Sequence, residues 1–273
     1  MGKVFTWEEV RNGNVPRLES FDEVGKLLKR ELNASSAVVS ALILGSFLRR
    51  DHTPRSDIDT LVVYPLAQRY EAVELLRVLK VRAKQLHVPI EFISLDVELA
   101  MTPDHHIAST FLEHFRLAAQ DGGIIKQNPL SLIHSNRDGF REDTRSYLIH
   151  KMRSMEKGDV SLASVSEEQV FRTLENALQL PVYAARKMLR CFDVEMPNGD
   201  SKAEVASLYP LLEIPGATDI LFQIRDMDSL YSETLAEQLL RLNRGKYEQS
   251  IEELKAAIPL ALEFARKNLF ALR

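Results

Sequence analysis

Residues 37–64 read AVVSALILGSFLRRDHTPRSDIDTLVVY and contain two apolar runs separated by a polar, turn-rich spacer. The first run is rich in aliphatic and β-branched residues, which predicts a buried strand that stops at a tight turn at Gly45-Ser46. The second run opens with Asp57-Ile58-Asp59 and predicts another strand. The segment therefore predicts two core strands, each with polar residues next to the spacer.

The pattern on either side of this segment divides the chain in two. Towards the N-terminus, apolar residues at helical spacing predict a helix over 20–33, begun by a capping box at Ser20 and Glu23. Up to Asn128-Pro129 we expect helices over 67–86 and 103–119 and further strands at 89–94 and 124–125. Beyond that point only helices are predicted, over 136–157, 166–192, 200–213, 217–243 and 246–271. The predicted fold class is therefore α+β, with a mixed sheet and flanking helices over 1–128 followed by an all-α helical bundle over 129–273.

Composition indicates a globular protein and limits its chemistry. Hydrophobic residues make up 45% and charged residues 27% of the 273 residues, and the formal net charge is −4. The single cysteine, Cys191, allows no internal disulfide, and the histidines do not have the spacing of a zinc site. The longest apolar stretch is too short to cross a membrane, and the N-terminus lacks the pattern of a signal peptide. We therefore expect a cytoplasmic protein without a membrane partner, and a homodimer is left open.

Three polar features in these strands indicate one chemistry. A glycine after a strand lets a phosphate approach the backbone, and the Ser46 hydroxyl beside Gly45 can hold phosphate oxygens. Asp57 and Asp59 project from the same face of a strand, roughly 6.5 Å apart along it, so they can bind divalent cations. Glu91 lies between apolar neighbours that predict burial, which is costly for an unpaired carboxylate. Taken singly, each feature also fits a plain turn, a solvated edge strand or a strand residue at the solvent end.

Together these residues resemble the signature of the DNA polymerase beta-like nucleotidyltransferase superfamily. The order is Gly45-Ser46, ten intervening residues and Asp57-Ile58-Asp59, with a third acid on a later strand, and the string from Ser56 to Asp59 matches the commonest form of the motif. The resemblance implies that Asp57, Asp59 and Glu91 are catalytic and bind two Mg²⁺ (or Mn²⁺) ions. It implies that Gly45, Ser46 and Ser56 bind the nucleotide. The implied reaction transfers a nucleoside monophosphate from an NTP to a hydroxyl acceptor and releases pyrophosphate.

The acceptor is not specified by these motifs. The helical half is similar in architecture to the substrate-binding domains of kanamycin nucleotidyltransferase-like enzymes, which leaves an antibiotic, a protein hydroxyl, a tRNA end or a metabolite as acceptor. The acidic net charge favours a cationic small molecule over nucleic acid. Arginines 49, 50 and 55 in the spacer either reach phosphates or are solvated.

Two alternative functions stay open at this stage. The first is a nucleotide-binding regulatory module that does not catalyse transfer. The second uses the helical half, because Arg145 and His150 fit the loose Arg-x4–6-His pattern of HEPN-type ribonucleases, which also occur in toxin–antitoxin pairs. A structural role for both residues competes with that interpretation.

Overall fold

In the computed structural model, which describes residues 2–101, 115–132, 140–160, 167–196 and 201–273, contacts divide the chain into two compact units. The first unit comprises Met1–Gly2 and Val15–Phe140, and the second comprises Lys3–Asn14 and Arg141–Arg273. The N-terminal segment with its short helix α1 (Trp7–Arg11) therefore belongs to the helical unit. The domain boundary near residue 128 stays a prediction.

The first unit is built on a four-stranded mixed sheet. Its strands, β1 (Ser40–Leu44), β2 (Ile58–Tyr64), β3 (Ile90–Asp96) and β4 (Ile124–Lys126), are arranged in the order β3-β2-β1-β4. β1 is antiparallel to both β2 and β4, whereas β2 and β3 are parallel. All five residues of β1 are buried, which agrees with its run of aliphatic residues and its central place in the sheet.

Helices lie on the sheet because its strands present apolar residues on both faces. The helices of this unit are α2 (Leu18–Ala34), α3 (Gly45–Arg49), α4 (Arg69–Gln85), α5 (Val97–Ala100) and α6, described over 115–120. Ile58 and Val62 pack in one core cluster with residues of α2 and α4, and Leu61 and Val63 pack in another with Phe115 of α6. Alternation along β2 therefore divides the core into two layers. Most of the predicted helix over 103–119 lies outside the described residues.

The start of α2 differs from its prediction. The helix begins at Leu18, after an N-cap Arg17 that makes no side-chain capping bond, so the capping box predicted at Ser20 and Glu23 is wrong. A capping box does occur at Thr6 and Glu9, where it begins α1. A capping residue begins a helix only where the chain enters it, and α2 already begins two residues before Ser20.

The second unit is helical in all its described elements. Besides α1 they are α7 (Phe140–Val160), α8 (Glu167–Cys191), α9 (Lys202–Leu208), a 3₁₀ turn at Tyr209–Leu212, α10 (Ala217–Arg241), α11 (Arg244–Lys255) and α12 (Ala257–Ala271). The single helix predicted over 246–271 is interrupted at Ala256, because Pro259 has no amide hydrogen for the bond that a continuous helix needs to Lys255. The α+β fold class is confirmed.

Buried tyrosine hydroxyls connect the segments of the helical unit. Tyr209 donates a hydrogen bond to Asn268 Oδ1 at 2.8 Å. The backbone of Phe5 is held between two more tyrosines: its amide donates to Tyr231 Oη at 3.0 Å, and its carbonyl accepts a hydrogen bond from Tyr247. The bonds from these hydroxyls to the Phe5 backbone thus attach the segment Lys3–Asn14 to the core of this unit. Among the described helices of the chain, none combines the length and the apolar character needed to cross a membrane.

Candidate active site

Gly45 occupies the junction between β1 and α3. Its φ is +73°, a left-handed conformation that glycine adopts without the steric penalty of a Cβ atom. A Cβ built on it would lie 2.7 Å from Oδ2 of Asp59, so the position requires glycine for space as well as for backbone conformation. The expected tight turn is a one-turn helix instead, because α3 begins at Gly45 itself. Ser46 therefore lies in the first turn of α3, directly after the strand.

Strand register brings the carboxylates together. Asp57 immediately precedes β2, and Asp59 is the second residue of that strand. Across the sheet Asp59 lies opposite Leu44 on one side and opposite Glu91 on the other. One ligand oxygen from each of Asp57, Asp59 and Glu91 lies within 4.8 Å of the other two. Three residues separated by up to 34 positions in sequence therefore form one cluster.

The exposure of Glu91 corrects part of the sequence argument. Glu91 was expected to be buried between Ile90 and Phe92, but it is exposed, and both neighbours are half-buried. The physical reason is the position of β3, which has a neighbour on only one side in the described sheet. The expected energetic cost of a buried glutamate therefore does not support a functional role. The approach of Glu91 to two half-buried aspartates does support one.

Such a cluster has a definite chemical preference. Three carboxylates at this separation repel one another, and a divalent cation between them removes that repulsion. Carboxylate oxygens are the ligands that Mg²⁺ and Mn²⁺ prefer. The residue types and their spacing therefore fit the metal ions that the resemblance implies.

The turn that leads into β2 is closed by its own hydrogen bonds. The Thr53 amide donates to Ser56 Oγ at 2.9 Å, and the Ser56 amide donates to the Thr53 carbonyl at 2.9 Å. Ser56 is buried, and its hydroxyl oxygen already accepts a bond within the turn. This arrangement positions the residue that follows, Asp57. A nucleotide-binding role for Ser56 stays a prediction.

The spacer arginines each contact protein groups. Arg49 Nε lies 3.3 Å from Asp51 Oδ2, and Arg50 Nη1 lies 2.7 Å from Asp22 Oδ1. Arg55 is only 3% exposed and donates to the Gly2 carbonyl at 3.3 Å. The expectation that these arginines are either solvated or bound to phosphate missed the burial of Arg55. No sequence signal distinguishes it from its neighbours in a polar loop.

His52, also in the spacer, packs between two aromatic rings. Its ring centroid lies 4.9 Å from that of Phe21 and 5.4 Å from that of Phe47. Burial lowers the pKa of His52 below its ordinary value, and the carboxylates of Asp22 and Asp51 oppose that change. Sequence analysis gave this histidine no role, and its contacts indicate a structural one.

Arg145 and His150 lie on one helix, α7, and both are exposed. Five residues along an α-helix correspond to a rotation of about 140°, so the two side chains leave the helix in different directions. This geometry gives the ribonuclease interpretation no support beyond the sequence pattern.

Residues 25–117 match the family model of the nucleotidyltransferase domain. This part of the chain is a nucleotidyltransferase domain. The predicted membership in the DNA polymerase beta-like superfamily is confirmed, and the described helices after β4 agree with the predicted helical C-terminal part. All six predicted site residues, namely Gly45, Ser46, Ser56, Asp57, Asp59 and Glu91, lie within the matched range. No match was found among curated proteins. The domain supports transfer of a nucleoside monophosphate in general, with an NTP as substrate.

Proposed function

We propose that the protein transfers a nucleoside monophosphate from an NTP to a hydroxyl acceptor, and that the transfer depends on Mg²⁺ or Mn²⁺ held by Asp57, Asp59 and Glu91. The observation that carries the proposal is the approach of these three carboxylates to within 4.8 Å beside a glycine that leaves no room for a side chain. A purely structural role would not require three like charges at one end of a sheet.

The bond changes follow from the proposed reaction. The acceptor oxygen forms a bond to the α-phosphorus, the bond from that phosphorus to the bridging oxygen breaks, and pyrophosphate leaves. Asp57, Asp59 and Glu91 would hold the divalent ions, which would supply charge stabilisation for the entering and leaving oxygens. We expect the backbone at Gly45 and the hydroxyl of Ser46, at the start of α3, to hold the outer phosphates. Glu91, the exposed member of the cluster, accepts the proton of the acceptor hydroxyl.

The first test is the binding of each ribonucleoside triphosphate with and without Mg²⁺, measured by calorimetry for the wild type and for Asp57→Asn/Asp59→Asn. We expect metal-dependent binding in the wild type and its loss in the double variant, because the ligand carboxylates become neutral amides. Asp51→Asn is the matched control, since Asp51 belongs to the same spacer but pairs with Arg49. If the double variant binds the triphosphate as the wild type does, the proposed site is wrong.

Binding alone does not separate an enzyme from a regulatory nucleotide-binding module. Pyrophosphate release in the presence of an acceptor does, because the module releases none. The ribonuclease alternative is tested by measuring RNA cleavage with the wild type and with His150→Ala. We expect no difference in RNA cleavage between the two proteins.

A further inference from the structure

β3 is an edge strand that carries a member of the carboxylate cluster. In the described sheet its only neighbour is β2, although β3 is seven residues long. Glu91 and Ser94 are exposed, and Ile90, Phe92 and Ile93 are half-buried. An open strand edge presents a row of backbone donors and acceptors to which another extended chain can bind.

The register identifies the backbone groups that face outwards. The Ile58 amide donates to the Pro89 carbonyl at 3.0 Å, and Ile58 lies opposite Ile90. In a parallel ladder this pattern directs the groups of every second residue, including Glu91, towards β2. The amides and carbonyls of Ile90, Phe92 and Ser94 therefore point away from the sheet.

The side chains of an added strand would have a fixed relation to the cluster. Neighbouring strands lie about 4.8 Å apart, and directly opposite side chains project from the same face with their Cβ atoms about 5 Å apart. Asp59 and Glu91 already form such an opposite pair. A residue that pairs with Glu91 from the other side would place its side chain on the face that carries the carboxylates.

We propose that the outer edge of β3 binds the acceptor, and that the acceptor is an extended polypeptide whose Ser, Thr or Tyr hydroxyl receives the nucleoside monophosphate. This inference rests on the proposed function and specifies its acceptor class. Alternating amide and carbonyl groups along seven residues match a peptide backbone, whereas a sugar or an aminoglycoside has no such repeat. In the reaction the hydroxyl oxygen bonds to the α-phosphorus, its proton passes to the Glu91 carboxylate, and pyrophosphate departs.

Ser94→Pro tests the edge on the protein side. Proline at this position removes an amide that faces outwards and leaves the bonds to β2 in place, which edge strands tolerate. Ser94→Ala is the matched control, because it removes the exposed hydroxyl and keeps the amide. The assay incubates each protein with the four α-phosphate-labelled ribonucleoside triphosphates, Mg²⁺ or Mn²⁺, and unfolded casein. Circular dichroism and calorimetric NTP binding verify that each variant folds and retains its nucleotide site.

A pair of peptides tests the same edge on the acceptor side, without any change to the protein. One is a short Val- and Thr-rich peptide with a central serine, and the other is its copy N-methylated at alternate residues. We expect labelled casein and labelled unmethylated peptide with the wild type and with Ser94→Ala. We expect about tenfold less label with Ser94→Pro or with the methylated peptide, since each removes edge hydrogen bonds.

The other outcomes overturn the inference or the proposal beneath it. Equal labelling by Ser94→Pro, or equal labelling of the methylated peptide, overturns edge binding. RNA and kanamycin are offered as acceptors in parallel assays. Label that goes only to RNA or kanamycin, or to no acceptor although NTP is bound, overturns the polypeptide acceptor. A dimer that Ser94→Pro dissociates would assign the edge to a second copy of this chain instead. Failure to bind any NTP would contradict the proposed function itself and is distinguished by the calorimetry.

Discussion

Asp57, Asp59 and Glu91 of the first unit gather three groups of the same charge within 4.8 Å, whereas in the second unit Lys187 Nζ lies 3.0 Å from the opposite charge of Asp143 Oδ2. The Lys187 side chain is only 10% exposed, and burial lowers its pKa while Asp143 opposes that change. Removal of one member of such a buried pair destabilises the fold, because the other charge stays buried without that partner. A cluster of like charges instead offers several carboxylate oxygens to which a cation from outside the chain can bind.

The largest expected effect concerns the response to metal. Saturating Mn²⁺, at about 100 times its dissociation constant, should raise the free energy of unfolding of the wild type by about 2.7 kcal/mol, because the ion binds only the folded state. Asp59→Asn should show almost none of this increase, and denaturant titrations with and without Mn²⁺ measure it. If Mn²⁺ stabilises Asp59→Asn as much as the wild type, the ion does not bind at the carboxylate cluster.

Asp59→Asn removes one of three like charges, whereas Asp143→Asn removes one member of an opposite pair in the second unit. Loss of the charged partner leaves Lys187 buried beside a neutral amide, which should lower the free energy of unfolding by about 2 kcal/mol. That value lies below the range for full burial, because the Asp143 side chain is 23% exposed. The Mn²⁺ response should remain that of the wild type. A variant as stable as the wild type would show that the pair contributes nothing to the fold.

Gly45 and Gly122 both have positive φ, so a comparison of their alanine variants distinguishes backbone strain from contact of the added Cβ with the site. Gly45→Ala and Gly122→Ala each place a Cβ at positive φ, +73° and +79°, and each should cost about 1–2 kcal/mol of stability. The added atom of Gly45→Ala also meets Asp59, whereas nothing lies within 4 Å at Gly122. Only Gly45→Ala should weaken Mn²⁺ and NTP binding, as calorimetry can show. An equal loss of Mn²⁺ and NTP binding in both variants would show that Gly45 is required only for its backbone conformation.

The smallest expected effect is a change in the pH dependence of stability, caused by His52 in the spacer. Because burial lowers the pKa of His52, the folded state favours the neutral ring. The stability that His52 contributes is complete above its ordinary pKa of about 6.5 and is lost as the pH falls through the lower folded value. Between pH 7.5 and 5, His52→Phe should therefore lose less stability than the wild type. If the free energy of unfolding has the same pH dependence in both proteins, the assignment of this effect to His52 is wrong. The neighbouring charged residues Asp22, Arg50 and Asp51 are the same in both proteins.

The sequence was most informative where chemistry and periodicity coincided. Gly45, Asp57 and Asp59 lie at the ends of two apolar runs, so both the strands and their polar ends could be predicted. The approach of Glu91 to Asp59 depends on the parallel register of β2 and β3, which no local pattern encodes. The same limit explains the mistaken burial of Glu91, since edge position is a property of the complete sheet. The family match supports the motif prediction, while the roles of the individual site residues stay predictions.

Two other features could not be predicted from the sequence, for a different physical reason. The break at Ala256 required the effect of Pro259 on the preceding turn, and the assignment of Lys3–Asn14 to the helical unit required contacts more than 160 residues away. Short polar segments carry little periodic information, so their place is decided by the surfaces on which they pack.

The route of the N-terminal segment has a practical consequence for dissecting the protein. Since Lys3–Asn14 belongs to the second unit and Val15 returns to the first, one cut in the chain cannot yield both units intact. A fragment that begins at Arg141 would lose the Phe5 backbone from Tyr231 and Tyr247, two side chains that are 2% and 4% exposed. Supplying residues 3–14 as a separate peptide should restore such a fragment, so the two pieces would serve as a complementation pair.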